Sequence, residues 1–563
     1  MKIKKQYTLQ AAAAIVAALC CTSCSDTWDD HYSEASEGII NTTLWEAINS
    51  DQNLTHFAKV VKACGYDVNL GGSQTYTVFA PTNSSLTEAQ ADSMVSLFNE
   101  KKAEGVKTAD NPVVQQFLKN HIALFKHSVS SLTSDSLTMM NSKYQPFTTS
   151  SIGGNSYTTK NVLYNNGVLY TIGGQLKYEP NILEYLAMDN DLDSVYQFIN
   201  SYGHYVFNAS QSVPGEIVDG KTQYLDSVTV YNNELLNKLG EINREDSTYL
   251  LLAPTNSEWK RLVDEYTPYF NYDSKVDDRD SLQYANARIA IIYGAVFNRN
   301  KNTDAALQDS AVSTSALSEK IYELNPTARR YCHFYKPFAA GGIFEGTALT
   351  KLSNGEIRKA SDFRISKFDT FAQTEQVEAE STFDLDTLSN AIDPVTVRTV
   401  NTRNPFYGKV SGNSFVEVVP EAVGVNPSVT YKVSNVLSNL PYDIYAVFVP
   451  ALAYDTLATA EQRLPVRFRA QVGYQYQGNT KWERNALKTT KADVVDTVLV
   501  KSNYKFPTTS YGLNDAQAKV RLYTDVPSNM TSQYTNTMRI DCIIVKPHDA
   551  EAAGKARTIK IKY

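Results

Sequence analysis

The pattern of apolar and polar residues divides the chain into a mixed region and a strand-rich region that begins at about residue 366. In the mixed region, apolar residues recur three and four positions apart, as at Ile289, Ile292 and Val296, which is typical of an amphipathic helix. In the strand-rich region, apolar residues alternate with polar ones, as at Val466 and Phe468, which predicts strands with one buried face. The sequence therefore predicts helices and strands together up to residue 365 and a β-sandwich over residues 366–563.

One stretch of the mixed region occurs twice, as Thr77–Leu86 and Leu250–Trp259, and both copies contain Ala-Pro-Thr-Asn-Ser. Each copy begins with an apolar run that predicts a buried strand, and the proline, which lacks an N–H group, ends that strand. The Thr, Asn and Ser side chains offer oxygens that can cap a following helix. A strand–helix corner made twice predicts two related domains.

A second motif also occurs twice, as Leu163–Tyr170 and Lys351–Ile357, and each copy contains Asn-Gly. Asn-Gly between apolar residues predicts a hairpin because both residues can adopt positive φ.

The two motifs, in this order and repeated, resemble the signature boxes of the fasciclin (FAS1) domain. The resemblance implies an α+β protein with two tandem FAS1 domains, each a β-wedge with helices, over residues 39–179 and 180–365. The third region, residues 366–563, is expected to be an all-β sandwich. Its Val377–Glu380 and Met538–Asp541 segments resemble the terminal strands of galactose-binding-like jelly rolls, some of which bind carbohydrate.

The amino terminus has the features of a targeting segment. Lys2, Lys4 and Lys5 precede a short apolar run that is too short for a transmembrane helix. Residues 1–23 resemble a bacterial lipoprotein signal peptide, which implies that Cys24 is lipidated, with Cys21 as the alternative acceptor. An ordinary secretory peptide is the other interpretation.

Residues 24–38 form an acidic, polar tether that resembles the start of Bacteroidetes surface lipoproteins. This resemblance implies an outer-membrane location, with the protein held by its acyl chains and facing the cell exterior. The net charge of −7 gives no electrostatic basis for binding nucleic acid.

The sequence does not predict an enzyme. It contains no His-x-x-x-His pair, no Gly-rich phosphate loop and no Gly-x-Ser-x-Gly elbow, so no catalytic, cofactor-binding or metal-binding residue is predicted. His121 lies on an apolar stripe and is expected to be a core residue. Glu378 and Glu380 are expected to be solvated, and the likeness to carbohydrate-binding jelly rolls implies a calcium ligand as the alternative.

Trp482 is the candidate ligand-binding residue, because a flat ring near a turn can stack on a sugar. Tyr474 and Tyr476 flank the same turn but continue the core face of their strand.

Taken together, these resemblances imply a non-enzymatic surface lipoprotein that binds a glycan or peptide nutrient beside an outer-membrane importer of the SusC/SusD kind. An adhesin that uses its FAS1 domains to bind host matrix or other cells is the alternative. A hydrolase is a third hypothesis.

Overall fold

The computed structural model describes residues 38–129, 136–207, 209, 213–218, 220–226, 229–318, 330–484 and 487–550. The chain divides into two compact units, with the boundary in the sequence between Pro180 and Asn181. The predicted signal peptide, residues 1–23, and all of the tether except Gly38 lie outside the described residues.

The first unit packs helices against a mixed sheet. Its described helices are α1 (Leu44–Ser50), α2 (Thr55–Ala63), α3 (Tyr66–Gly71), α4 (Glu88–Ala103), the 3₁₀ turn Thr108–Asp110 and a π-helix (Val113–Leu118). Its strands are β1 (Tyr76–Pro81), β2 (Ile122–Leu124), β3 (Ser136–Thr138), β4 (Tyr144–Pro146), β5 (Ser151–Ile152), β6 (Asn155–Tyr164) and β7 (Gly167–Ile172). The main sheet has the order β2-β1-β7-β6-β5, and β1 runs parallel to β7.

The proline of the first motif ends a buried strand as predicted, but the residues after it cap a different helix. All six residues of β1 are buried, and Pro81 is the last of them. The next helix, α4, is capped by Thr87 instead. Asn83 accepts a hydrogen bond from the amide of His56 (3.1 Å) at the start of α2, so its cap joins segments distant in sequence.

The hairpin of the second motif turns through residues 165–166, one position earlier than Asn-Gly, because Tyr164 pairs with Gly167. Neither Asn165 nor Asn166 has a positive φ. Gly167 lies in β7, where a Cβ atom would be 2.1 Å from the carbonyl oxygen of Tyr76. The glycine is therefore needed for the close approach of β1 to β7, which corrects the prediction that it adopts positive φ in the turn.

The second unit begins with another mixed domain. Its described helices are α5 (Ile182–Met188), α6 (Asp193–Asn200), α7 (Glu234–Leu239), α8 (Asn256–Tyr266) and α9 (Arg279–Ile292), with 3₁₀ turns at Thr267–Phe270 and Ala306–Gln308. Its strands are β8 (Gly203–Phe207), β9 (Val213–Val218), β10 (Lys221–Asp226), β11 (Thr229–Asn233), β12 (Tyr249–Pro254), β13 (Val296–Asn298), β14 (Ser310–Ser318), β15 (Arg330–Tyr335), β16 (Ala348–Leu352) and β17 (Gly355–Ala360).

This mixed domain has the same central topology as the first unit. Its sheet has the order β13-β12-β17-β16, and β12 runs parallel to β17. Asn256 accepts from the amide of Ser194 (2.9 Å) at the start of α6, as Asn83 does in the first unit. Here Thr255 caps the immediately following helix, α8, as the sequence predicts.

The remaining strands form a two-layer antiparallel sandwich. They are β18 (Glu375–Glu378), β19 (Leu385–Ser389), β20 (Thr396–Thr399), β21 (Ser414–Val418), β22 (Ser428–Val433), β23 (Pro441–Phe448), β24 (Arg467–Tyr476), β25 (Asn479–Arg484), β26 (Lys488–Thr489), β27 (Asp496–Lys505), β28 (Ala518–Thr524) and β29 (Met538–Pro547). Short 3₁₀ helices lie at Lys367–Asp369, Ser411–Asn413, Ala451–Ala453, Ser528–Met530 and His548–Ala550.

One sheet of the sandwich has the order β20-β21-β29-β23-β27, with β18 also paired to β29. The other has the order β19-β22-β28-β24-β25, with β26 paired to β24. The sheets meet through apolar side chains such as Phe448 of β23 and Phe468 of β24, whose ring centroids are 4.5 Å apart. The alternation predicted from the sequence thus sets the core of the sandwich.

The mixed domain of the second unit and the sandwich share one continuous hydrophobic core and belong to one compact unit. Asp273, which is 3% exposed, accepts from the backbone amides of Gln477 (2.7 Å) and Gly478 (2.9 Å). The rings of Phe270 and Tyr511 pack edge to face beside it, with centroids 5.3 Å apart. These contacts hold the β24–β25 turn against the mixed domain.

Candidate functional site

The predicted lipid acceptor Cys24 and its alternative Cys21 lie outside the described residues. Among the helices that the structure describes, none has both the length and the apolar character needed to cross a membrane.

His121 is a core residue, as its place on an apolar stripe indicated. Its Nδ1 lies 2.8 Å from the carbonyl oxygen of Phe117, and its Nε2 accepts from the amide of Leu176 at 2.9 Å. Both ring nitrogens are therefore used in the neutral imidazole. Burial lowers the pKa of His121 to about 4.

Trp482 lies on β25 directly opposite Gly473 of β24. A Cβ atom on Gly473 would be 2.8 Å from the indole, so the absence of a side chain there lets the ring lie against the strand. Trp482 is half-buried on the outer face of its sheet, because Val472 on the other side of β24 points into the core.

Arg521 of β28 contacts the indole of Trp482 across the intervening strand β24. Its guanidinium carbon lies 3.9 Å from the centroid of the Trp482 ring. The same guanidinium lies within hydrogen-bonding distance of Thr430 Oγ1 (Nε, 3.2 Å) and Gln471 Oε1 (Nη1, 3.4 Å). Four strands thus contribute to one row of side chains, and we call Trp482, Arg521, Thr430 and Gln471 the Trp482 face.

Charged pairs flank the Trp482 face on the same side of the sheet. Arg469 pairs with Asp525 at 2.7 Å, and Lys519 pairs with Asp386 at 2.8 Å. The face therefore combines a flat ring with a guanidinium and an amide that are half-buried, whereas the Thr430 hydroxyl is fully buried and serves only to restrain Arg521. Such a combination can stack on a ring and exchange hydrogen bonds with hydroxyl groups.

Tyr474 and Tyr476 do not extend the Trp482 face. They alternate with Gly473 along β24, so their side chains are on the opposite side of the sheet from Trp482. Tyr474 packs against the core, as predicted, whereas Tyr476 is 51% exposed at the end of the strand. The turn between these strands lies at residues 477–478, because Tyr476 pairs with Asn479.

Glu378 and Glu380 lie in a cluster of carboxylates at the edge of the other sheet. The strand β18 ends at Glu378, so Glu380 belongs to the following turn and not to the strand as predicted. Ser411 Oγ donates to Glu378 Oε1 at 2.8 Å, and Ser414 Oγ donates to Glu380 Oε1. Both glutamates are half-buried, which corrects the expectation of solvated side chains.

Asp541 of β29 completes this acidic cluster and is 3% exposed. The amide of Ser411 donates to both of its carboxylate oxygens, at 3.1 and 3.2 Å. Burial, together with the charges of Glu378 and Glu380, raises the pKa of Asp541 to about 8. Bringing three carboxylates together out of water is unfavourable unless they are protonated or share a cation.

The acidic cluster has the donor set of a hard divalent cation. Ligand atoms of Glu378, Asp541 and Cys542 lie within 4.8 Å of one another, and Oε2 of Glu380 is buried with no hydrogen-bond donor among the described residues. Burial raises the pKa of the Cys542 thiol, whereas Glu378, Glu380 and Asp541 offer hard carboxylate oxygens. The carboxylate oxygens therefore fit calcium better than a thiophilic metal.

One family of known domains matches part of the first unit. Residues 52–177 match the fasciclin domain. This fasciclin match covers both motifs of the first unit, including β1 and the β6–β7 hairpin. A search of curated proteins found no match to the chain.

Solved structures give weaker likenesses. A FAS1 domain pair from the insect cell adhesion molecule Fasciclin I has 12% identity over 56% of this chain and 98% of that chain, with a TM-score of 0.17. The C-terminal family 22 carbohydrate-binding module of Clostridium thermocellum Xyn10B has 15% identity over 31% of this chain and 91% of that chain, with a TM-score of 0.20. The CBM22-1–GH10 modules of Clostridium thermocellum xylanase 10B, complexed with xylohexaose, have 16% identity over 31% of this chain and 28% of that chain, with a TM-score of 0.20. Similarity at this level fixes neither a ligand nor a partner.

Sequence reasoning missed Arg521 and the place of Asp541 in the acidic cluster. The alternation of Val520 and Leu522 with polar neighbours indicates that Arg521 points outward. The partner of Arg521 depends on which strand lies beside β28, and the order of strands in a sandwich is not readable from alternation alone.

Proposed function

We propose that the protein is a non-enzymatic cell-surface lipoprotein that binds a glycan on the Trp482 face. The observation that supports this most is the indole of Trp482, stacked by Arg521 on an outer sheet face among fixed polar groups. Because Thr430 and Gln471 already restrain the guanidinium, little side-chain entropy is lost when a sugar binds. The exposed part of the indole would pack against the C–H groups of a sugar, and the guanidinium edge would meet its hydroxyl groups.

Binding to immobilised plant and host polysaccharides, measured by affinity gel electrophoresis of the whole protein, tests this proposal. Trp482→Ala is expected to weaken binding by about tenfold or more, because a stacked aromatic contributes roughly 1.5 kcal/mol beyond its buried area. Tyr476→Ala is the matched control, since Tyr476 is an exposed aromatic on the opposite side of the same hairpin. The assignment would be contradicted if the polysaccharide retained Trp482→Ala as well as the wild type but no longer retained Tyr476→Ala. It would also be contradicted if no polysaccharide retained the wild-type protein.

We further propose that the acidic cluster holds a calcium ion. Glu378, Glu380 and Asp541 would supply carboxylate oxygens, and the ion would neutralise charges that otherwise repel. Because β18 and β29 both contribute, calcium would fasten the first strand of the sandwich to its last.

The second mixed domain is proposed to be another fasciclin domain, over residues 180–365. Two asparagines support this. Asn166 accepts from the amide of Leu44 and donates to two backbone carbonyls, and Asn354 accepts from the amide of Ile182 and likewise donates to two.

The anchor and the importer belong to the same proposal. Lipidation of Cys24 would hold the protein at the outer membrane, facing outward, beside a transporter of the SusC/SusD kind. Labelled palmitate should enter the wild type and Cys21→Ser but not Cys24→Ser. Cross-linking of intact cells followed by purification should recover a transporter subunit, and recovery of none would remove the importer from the proposal.

The second candidate function is adhesion through the fasciclin domains, and the fasciclin match of residues 52–177 favours it. Deletion of the gene separates the two functions. Loss of growth on one polysaccharide with normal attachment supports glycan capture, whereas loss of attachment with normal growth supports adhesion.

A further inference from the structure

The mixed domain of the second unit contains a cavity of about 490 Å³ beside the β16–β17 hairpin. The side chains that matter for its chemistry are those of Arg299, Leu307, Gln308, Leu349, Lys351 and Arg358. We call this the Arg358 cavity. It lies on a different domain from the Trp482 face, so it is independent of the proposed glycan site.

Arg358 reaches the cavity from β17, opposite Leu349 of β16. Its guanidinium carbon is 4.9 Å from the ring centroid of Phe338 and 5.2 Å from that of Phe344. Nη1 donates to Thr347 Oγ1 at 3.3 Å, and Nε is buried without an acceptor among the described residues. Burial lowers the pKa of Arg358, but a guanidinium remains charged at neutral pH.

The other guanidinium of the cavity, that of Arg299, is fully compensated. Its Nε lies 3.3 Å from Glu356, Nη1 donates to the carbonyl oxygen of Asn302 at 2.6 Å, and Nη2 pairs with Asp304. No carboxylate of the described residues forms an ion pair with Arg358 within 4 Å, although the charge of Glu356, which pairs with Arg299, still acts on Arg358. The two arginines therefore differ: Arg299 is paired directly with two carboxylates, whereas Arg358 has aromatic neighbours and a hydroxyl acceptor but no carboxylate in direct contact.

A partly buried cation with no directly paired carboxylate is unfavourable, and an anionic ligand in contact with it would relieve this cost. The charged side chains lining the cavity comprise three cations (Arg299, Lys351 and Arg358) and two acids (Asp304 and Glu356), so the lining carries one excess positive charge. A carboxylate matches the planar fork of a guanidinium and can accept two parallel hydrogen bonds from it.

We propose that the Arg358 cavity binds a small organic carboxylate of about one sugar ring in size, with its carboxylate on Arg358. The volume lies within the range of small-ligand sites. The lining alternates apolar side chains, such as Leu307 and Leu349, with polar ones, such as Gln308, which suits a ring with both C–H and hydroxyl surfaces. An inorganic anion would use the charge but leave the apolar lining uncovered.

Isothermal titration of the whole protein with sodium D-glucuronate, D-glucose and sodium phosphate tests this proposal. The wild type is expected to bind glucuronate measurably better than either of the other two. Arg358→Gln should weaken glucuronate binding by about tenfold or more, the loss expected for a charge-assisted pair. Arg288→Gln, which removes a guanidinium stacked on the exposed Tyr284 outside the cavity, should leave binding unchanged.

If Arg358→Gln does not fold, Leu349→Trp decides the question. Leu349 lies at the rim of the cavity and is 44% exposed, so a Trp side chain there fills the cavity while the Arg358 guanidinium is kept. This variant should also lose glucuronate binding. Trp482→Ala should not change it, which separates this site from the proposed glycan face. Equal binding of glucuronate by wild type and both cavity variants, tighter binding of phosphate, or no binding of glucuronate would each overturn the proposal.

Discussion

Asn166 joins three segments of the first unit through one buried side chain, and removing it should loosen that unit alone. Oδ1 accepts from the amide of Leu44 at 2.8 Å, at the start of α1. Nδ2 donates to the carbonyl oxygens of Leu70 (2.7 Å) and Gly72 (2.8 Å), which end α3. The side chain is 4% exposed, so water does not readily replace these bonds. The change to make is Asn166→Ala.

The expected cost follows from the three hydrogen bonds. Each contributes about 0.5–1.5 kcal/mol net, and a buried group left without a partner costs at least as much. Asn166→Ala should therefore lower the free energy of unfolding of the first unit by about 2–4 kcal/mol. Asn165→Ala is the matched control, because the neighbouring amide makes one exposed hydrogen bond, to Asn41, and should change stability by less than about 0.5 kcal/mol.

Hydrogen–deuterium exchange of the whole protein, resolved by peptide, is the suitable assay, because a chain of several domains does not unfold in one step. Asn166→Ala should reduce protection in α1, α3 and β1 and leave the second unit unchanged. Asn354→Ala should reduce protection in the second unit and leave the first unit unchanged. The reasoning is refuted if Asn166→Ala behaves like Asn165→Ala, or if protection falls equally in both units.

Three further predictions follow from other features. Gly167→Ala would place a Cβ atom 2.1 Å from the carbonyl oxygen of Tyr76, so β1 and β7 must separate, and little folded first unit should be recovered by limited proteolysis. The pKa of His121, about 4, lies below that of an unfolded histidine, so the first unit should lose stability as pH falls from about 6.5 through 4; His121→Gln should flatten this dependence in urea titrations. Chelation of calcium should lower the Tm of the second unit, and Glu380→Gln should abolish that shift while the exposed Glu461→Gln preserves it.

The strands of both motifs and the core alternation of the sandwich could be predicted because they depend on local pattern. The buried run before Pro81 and the alternation around Phe468 are visible in the residues themselves. The role of Gly167 could not be predicted from the sequence, because the carbonyl oxygen that excludes a side chain at this position belongs to Tyr76, which is distant in sequence. The cap made by Asn83 was misassigned to the next helix for the same reason.

The candidate sites show the same limit. Trp482 could be singled out as an aromatic near a turn, but Arg521, which stacks on it, comes from a strand that the sequence does not place beside it. Glu378 and Glu380 were candidates from likeness alone, and their burial arises from pairing of β18 with β29, which brings in Asp541. Sequence reasoning did not detect Arg358, because the aromatic and hydroxyl neighbours of its guanidinium come from residues that only the fold brings together.

The clasp that Asp273 makes on the Gln477–Gly478 turn has a mechanical consequence. A force applied to a polysaccharide bound at the sandwich would be transmitted through this clasp and the Phe270–Tyr511 contact to the neighbouring mixed domain, because the two share a core around residue 366. We therefore expect the mixed domain of the second unit and the sandwich to move together under load. A recombinant fragment starting at 366 would lose Asp273 and expose Tyr511, so binding modules are better cut at 181.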